Sequence, residues 1–463
     1  MISISKNNLS YKCDCHVIEK NNIVVFNNIN IDKNAFYTII TLDKNNKTVT
    51  FIQDDLGDIK QYYYASINDE ILIDTSIKNI INKMETRQFN DKSLYYFLSC
   101  GFIPNENTLV KNINKVVPGY VNIYNIDNNT IILNNIKLDN CNEKFCEHKY
   151  KNILLNNMNK YVKKDMNVGF AISSGFDSNL LISLYNRNVK NNNSYFCIGG
   201  NSGVNEIPNV KKILKNYNYS DFNYGFVDKT TFNNYHKIVY MYEGLFYERG
   251  IFLQYQLYEL LKYKNINIIL GEGADQVLHI NSVLNNDIKC NIKKKGYSLY
   301  KNCPKEILNY LVLKKSSLLL SYTNNNIIYP YLYKNFRNYN YSFNNLYGYD
   351  KNRHKKLVKN EVEINISKIL NKTGGATDQE SLFSSRKELN DIKDIALTSH
   401  FSNIVCEHNT TELSLDIDYI LKIIYLLIFE KIFMIDNKYI DNSDLLENIN
   451  IQEFIIDSLS VNK

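Results

Sequence analysis

The run Val168-Gly-Phe-Ala-Ile172, followed at once by Ser173-Ser-Gly-Phe-Asp-Ser-Asn179 and then Leu180-Leu-Ile-Ser-Leu-Tyr185, decides the fold. The apolar run reads as a buried strand, the Ser/Gly stretch as a tight loop, and the leucine-rich segment from Asn179 as a helix. Loop amides and the first N–H groups of a helix point at one place, so a strand, loop and helix in this order make an anion site. Ser173, Ser174 and Ser178 add hydroxyl donors around Gly175. Asp177 stands where a carboxylate can hold Mg²⁺ against bound phosphates. Taken alone, an ordinary strand–helix turn capped by Asp and Ser fits the segment equally well.

Downstream, Ser194-Tyr-Phe-Cys-Ile198 reads as a strand, Val210 to Lys215 and Phe252 to Leu261 as helices, and Ile266-Asn-Ile-Ile-Leu270 as another strand. Strands separated by helices predict an α/β fold with a parallel sheet covered on both faces. The last strand runs into Gly271-Glu-Gly-Ala-Asp275, again at a strand's carboxyl end. Parallel sheets bind ligands at those ends, so the two loops are expected to face one site. Asp177 and Asp275 then form a carboxylate pair for Mg²⁺, and Glu272 is a third acid available for proton transfer. Gly271 and Gly273 let backbone approach a ligand closely. In a chain with only 17 glycines among 463 residues, such a cluster marks a site.

Upstream, Ile23-Val-Val-Phe26, Phe36 to Leu42, Thr48-Val-Thr-Phe-Ile52, Tyr62-Tyr-Tyr-Ala65 and Glu70-Ile-Leu-Ile-Asp74 are β-branched or aromatic runs between Asn/Asp/Lys turns, as in a meander. A helix is expected from Asp91, a strand over Val117 to Tyr124, and a linker near 136–147. These divide the chain into a β-rich domain over 1–140 and a larger one over 141–463. The stretch beyond about 285 reads as mostly helical, with a basic, Tyr/Asn-rich insert over 285–356.

Composition is that of a globular chain, 44% hydrophobic and 22% charged, which excludes a disordered one. A net charge of +6, spread along the chain, does not make a nucleic-acid protein. The most apolar late stretch, Ile417 to Ile435, is interrupted by Lys422, Glu430 and Lys431 and reads as a buried helix rather than a membrane span. With no secretory leader visible, a cytoplasmic protein is expected. Nine scattered cysteines give no disulfide framework. Cys13-Asp-Cys-His16 and Cys141-x4-Cys146-Glu-His148 lack the CxxC spacing of a zinc site.

With these motifs the chain resembles the asparagine-synthetase-like amide ligases, which include β-lactam synthetase and the lasso-peptide cyclases. Their pyrophosphate (PP) loop, SGGxDSS, is matched by Ser173 to Asn179, and their GEGADE motif by Gly271-Glu-Gly-Ala-Asp-Gln276. Phe196 to Gly199 with Asn205-Glu206 resemble the adenine-side strand and acidic segment, which places Ile198 at the nucleotide. Tyr242-Glu-Gly244 falls where the family has Asp-Glu-Pro. Tyr96 to Pro104 and Thr108 to Tyr120 follow the family's interdomain segment. Asp54-Asp-Leu-Gly57, Tyr62-Tyr63 and Ser76-x-Lys78 resemble the end of its glutamine-hydrolysing domain. The resemblance runs in register over roughly 35–280. It implies an adenine nucleotide α-hydrolase-like synthetase domain behind a smaller, truncated Ntn-like domain.

The departures bear on the reaction. Family glutaminases use an N-terminal cysteine whose free amine serves as base. Position 2 here is Ile2, and only 34 residues precede Ala35-Phe36, so an inactive glutaminase-like domain is expected. Ser174 replaces the loop's first glycine and Asn179 its final serine. The resemblance also implies a late lysine that neutralises phosphate charge. Leu413-Ser-Leu-Asp416 resembles the family's PFLD segment and Lys438-Tyr-Ile440 falls where its lysine-containing KYIL segment would, so Lys438 is expected to be that lysine, with Lys431 in reserve. The resulting expectation is an ATP- and Mg²⁺-dependent ligase that adenylates a carboxylate and couples it to an amine, without glutamine hydrolysis. The amine is carried by a small-molecule or peptide substrate, with a homodimer or a precursor peptide as macromolecular partner. Ammonia-dependent amidation of a small acid, a non-catalytic scaffold and a tRNA-modifying relative are the alternatives. Glu272 stands where β-lactam synthetases carry tyrosine, which favours the amidating branch.

Overall fold

The computed structural model describes residues 1–26, 32, 34–135, 144–188, 193–200, 205–217, 219, 221–274, 277, 313–347, 351–362, 364–370, 382–383, 385–402, 417–435, 438–441, 443–447 and 449–460. The chain divides into two compact units. The first joins Met1–Lys137 to Asn233–Glu248 and Arg386–Lys463; the second joins Leu138–Phe232 to Arg249–Ser385. The segments 233–248 and 386–463 thus fold with the β-rich unit, although they follow its linker in sequence.

In the first unit the strands form two antiparallel sheets rather than one meander. β1 (Ile2–Ser5), β2 (Tyr11–Cys13), β7 (Tyr63–Ile67), β8 (Glu70–Asp74) and β9 (Ile113–Lys115) make one, in the order β2-β1-β8-β7-β9. β3 (Val17–Lys20), β4 (Ile23–Phe26), β5 (Thr38–Asp43), β6 (Thr48–Gln53), β10 (Tyr120–Asn125) and β11 (Thr130–Asn135) make the other, in the order β11-β10-β6-β5-β4-β3. Burial alternates strictly along β5 and β6, so each turns one face inward. Ile4, Tyr64, Ile71 and Ile73 from one sheet meet Phe26, Ile40, Leu42 and Phe51 from the other in a shared core. The β7–β8 hairpin closes through Asn68 (φ 46°) and Asp69 (φ 59°), residues that accept the left-handed conformation a tight hairpin needs.

The helix Ile417–Phe429 is buried from Tyr419 to Phe429 apart from Lys422 and continues as a π-helical turn to Ile435. Among the described residues no helix is long and apolar enough to cross a membrane. Glu243 ties the returning segment 233–248 to the leading one. Held at φ 54°, it accepts from Ser76 Oγ (2.7 Å), Ile77 N (2.8 Å) and Lys78 Nζ (3.0 Å), and so satisfies the start of the helix Ile77–Ile81. Tyr242-Glu-Gly244 is therefore structural in this unit.

Lys115 is fully buried and its ammonium donates to the carbonyls of Ile103 and Asn107. Burial pushes it down to about 7, with the Glu106 charge opposing. The unfolded chain holds its proton to about 10.4, so between those values the unfolded state binds more protons and stability rises with pH. Urea midpoints taken at steps from about pH 7 to about pH 10 should rise more in the wild type than in Lys115→Met. Parallel curves would show that Lys115 does not titrate in that window.

The second unit carries the parallel sheet. β12 (Val168–Ala171) is central, with β13 (Ser194–Gly200) and β14 (Phe222–Val227) on one side, and β15 (Asn267–Ile269) and β16 (Asn326–Ile328) on the other. All four pairings are parallel. Every residue of β15 is buried, as in a sheet covered on both faces. The chain leaves β12 toward β13 and later enters β15 on the opposite side, so β12 and β15 flank a switch point in strand order. Such a point opens a crevice at the strands' carboxyl ends.

Candidate active site

The two sequence motifs lie side by side at this switch point. The loop 172–175 leaves β12 and feeds the helix Phe176–Asn188, while Gly271-Glu-Gly273 leaves the neighbouring β15. A methyl group built on Gly271 would lie 3.1 Å from Ser178 N and 3.3 Å from Ser178 Cα. Glycine is needed there because the backbones themselves touch.

Internal hydrogen bonds shape the first loop. Ser173 N donates to Ser178 Oγ (3.2 Å) and Gly175 N to Ser173 Oγ (3.1 Å). The buried Asn179 amide donates to the carbonyls of Ser173 (2.9 Å) and Gly175 (2.7 Å). Both departures from the family pattern fit this geometry. Ser174 is not among the residues with positive φ, so a side chain there brings no backbone strain, and Asn179 staples the loop. Asn179→Ala should cost about 1–3 kcal/mol by orphaning the loop carbonyls, and should weaken ATP binding. Asn179→Ser should retain part of both; denaturant unfolding and nucleotide titration measure them.

The loop opens a helix whose first-turn N–H groups face outward with the positive end of the helix dipole. Glu206 reaches the same loop from the segment after β13 and accepts from Ser174 N (3.0 Å). Burial first, and the Glu206 charge second, push the neighbouring Cys197 thiol up to about 12, so it stays protonated and unreactive. Ile198 lies half-buried near the carboxyl end of β13, the strand beside β12. Tyr331 donates from its hydroxyl to the carbonyl of Asp177 (3.0 Å). Burial, then the charges of Tyr150 and Asp177, raise that phenol well above its ordinary value, which keeps it a donor.

Glu272 is held from two sides. Gln254 Nε2 donates to Oε1 (2.5 Å) and Ser316 Oγ donates to Oε2 (2.5 Å). Gly273 has φ 87°, and a methyl group built on it would overlap Leu332 Cδ2 at 2.1 Å. Leu332 belongs to Tyr329-Pro-Tyr-Leu-Tyr333, the segment that follows β16.

The loop carrying Ser173, Ser174, Gly175, Asp177 and Ser178 and the loop carrying Gly271, Glu272 and Gly273 therefore adjoin, touching where Gly271 lies against Ser178. Asp275 and the Leu413–Asp416 segment lie outside the described residues, as do Lys293 to Lys295 of the basic insert. Lys438 opens the helix Lys438–Asp441 of the first unit. Lys431, also in that unit, donates to the Phe454 carbonyl (3.1 Å) and sits over the Phe454 ring. Glu206 belongs to the acidic segment that the resemblance marks, whereas nothing in the sequence points to Gln254, Ser316 or Tyr331 as contacts. Among the described residues no three His, Cys, Asp or Glu side chains are grouped to hold a metal. Asp177, the described member of the expected pair, suits a Mg²⁺ that arrives with nucleotide phosphates and needs only one or two protein carboxylates.

Comparison with known proteins agrees with this geometry. Residues 149–371 match the asparagine synthase family, and residues 5–135 match the glutamine amidotransferase domain family. Both matches extend past the register read from sequence, to residue 5 at one end and residue 371 at the other. The short strands β1 to β3 carry too little pattern to show this locally. The chain is similar to asparagine synthetase [glutamine-hydrolyzing] 1 of Bacillus subtilis (strain 168), with 22% identity over 252 residues. That similarity takes in 52% of this chain and 39% of the relative's length. A glutamine amidotransferase domain match followed by an asparagine synthase match is consistent with the asparagine-synthetase-like family.

Proposed function

We propose that the protein is an ATP-dependent amide-bond-forming ligase acting on a carboxylate and an amine carried by a small-molecule or peptide substrate. The observation that carries this reading is the seating of Gly271 on the Ser178 backbone, which sets the anion loop beside the Glu272 carboxylate. The substrate carboxylate attacks the α-phosphate of ATP, forming an acyl-adenylate and releasing pyrophosphate. The amine then attacks the acyl carbon, the bond to AMP breaks, and the amine's proton passes to Glu272. The loop Ser173 to Ser178 binds and orients the phosphates, and Ile198 lines the adenine side. Asp177 and Asp275 would hold Mg²⁺, which spreads phosphate charge when bound. Lys438 is the proposed late cation, with Lys431 in reserve.

Glutamine hydrolysis is not part of the proposed reaction. Cys13 and Cys15 stand inside the chain with amide nitrogens, and processing would have to expose one before its amine could serve as the base of an N-terminal nucleophile. The similarity to an asparagine synthetase favours, as a second reading, ammonia-dependent amidation of a small acid. An end-point assay separates the readings. With ATP, a carboxylate panel and glutamine, no glutamate should form, whereas ammonium or a substrate amine should yield product and AMP. Glutamate released in step with AMP would overturn glutamine independence.

A further inference from the structure

Glu272 lies in a loop, yet two helices of the same unit reach its carboxylate, and the residue after β16 backs one of them. Gln254 comes from the helix Ile251–Leu261, Ser316 from the helix Lys314–Leu320, and Tyr329 from the end of β16. Each carboxylate oxygen has its own neutral donor, Gln254 Nε2 on Oε1 and Ser316 Oγ on Oε2. Ser316 has no exposure, and its hydroxyl also meets Tyr329 OH at 2.9 Å. The buried Gln254 Oε1 has no hydrogen-bond partner among the described residues, so among them Glu272 sets how that amide is turned. Neutral donors on both oxygens fix the plane of a carboxylate and bring no charge of their own.

We propose that Gln254 and Ser316 are positioning residues that clamp both oxygens of Glu272 and aim it at the attacking amine; this rests on the ligase reading above. The clamp also allows for the proton's arrival. A serine hydroxyl both donates and accepts, so Ser316 can turn toward Tyr329 and accept from a protonated Glu272. Gln254 can turn its amide and present Oε1 to the carboxyl in the same way. The proton gained by Glu272 is the one lost by the attacking nitrogen, so the clamp itself consumes nothing. A purely structural role would require only that these contacts hold the loop in place. It would not make the two half-reactions respond differently.

The test uses the full chain with Ser316→Ala and Gln254→Met, neither of which adds bulk to the buried site. Glutamate side-chain carboxyls are labelled with ¹³C, and the Glu272 line is identified by its loss in Glu272→Gln. The clamp requires that line to move in both variants, whatever the substrate; a line that stays put overturns the clamp and leaves the ligase reading standing. ATP–pyrophosphate exchange is then measured over a panel of carboxylic acids, followed by coupling of the activated acid to ammonium or to hydroxylamine. Hydroxylamine reacts unprotonated at neutral pH and has less need of a base. In the variants, exchange should persist, coupling to ammonium should fall roughly 10- to 100-fold, and hydroxylamine should restore most of it. Equal loss of exchange and both couplings would show a merely structural role and overturn the proposal. Absence of exchange in the wild type with every acid would instead overturn the ligase reading, and the role of the clamp with it.

Discussion

Glu272→Gln should stop amide formation while largely retaining adenylation. An amine is protonated at neutral pH, so it must lose one proton before it attacks the acyl carbon and another once the C–N bond has formed, and the second half-reaction needs an acceptor. Glu272 projects from the loop that touches the Ser173–Ser178 loop, and its carboxylate is held by Gln254 and Ser316. Glutamine keeps the shape and can still accept from Ser316, but it cannot take a proton. Removing a general base costs about 10²- to 10⁴-fold in rate. Exchange of pyrophosphate into ATP reports the first half-reaction, and product formation reports the second. A parallel fall in both would assign Glu272 to nucleotide binding instead.

Gly273→Val should be the most damaging single change in the loop. At φ 87° a β-branched residue is a backbone outlier, costing about 1–2 kcal/mol for the left-handed conformation alone. Its Cβ would also overlap Leu332 Cδ2, and overpacking of this kind adds about 1–3 kcal/mol. The effect should reach the site, because Tyr331, beside Leu332, holds the Asp177 carbonyl. Thermal unfolding should therefore show a loss of about 2–5 kcal/mol, and nucleotide binding should weaken with it. Gly273→Ala should fall between Val and the wild type. An unchanged melting temperature in the Val variant would mean that the loop adopts another conformation.

The two glycine-bearing loops at the strand ends are legible in the sequence because they follow the clearest strands in the chain. Val168 to Ile172 and Ile266 to Leu270 are continuous apolar runs, and each ends in a small-residue loop. β5, β6 and the β7–β8 hairpin were legible for a similar reason, since β-branched residues alternate between turn residues. Other elements left weak local traces. β14 contains Asn223 and Gly225, and β16 is three residues long within an asparagine run. Pro330, directly after Tyr329, is the signal that a strand stops there. The division of the front strands into two sheets depends on β1 pairing with β8, a contact between residues some seventy apart that no local periodicity encodes. Gln254 and Ser316 gave no sign because neutral polar residues on helices are usually solvated or capping. The return of 233–248 to the first unit left a trace in Glu243-Gly244, which ends its helix with two successive left-handed residues.

The most direct measurement of the central claim is exchange of labelled pyrophosphate into ATP, with Mg²⁺ and a panel of carboxylic and amino acids, in the wild type and in Asp177→Ala. The expected result is exchange in the wild type that depends on one class of acid and is lost in the variant, whose fold is checked by thermal unfolding. Exchange in neither protein, together with no ATP binding by the wild type, would contradict the ligase reading and leave a scaffold that retains the family's loops without their chemistry.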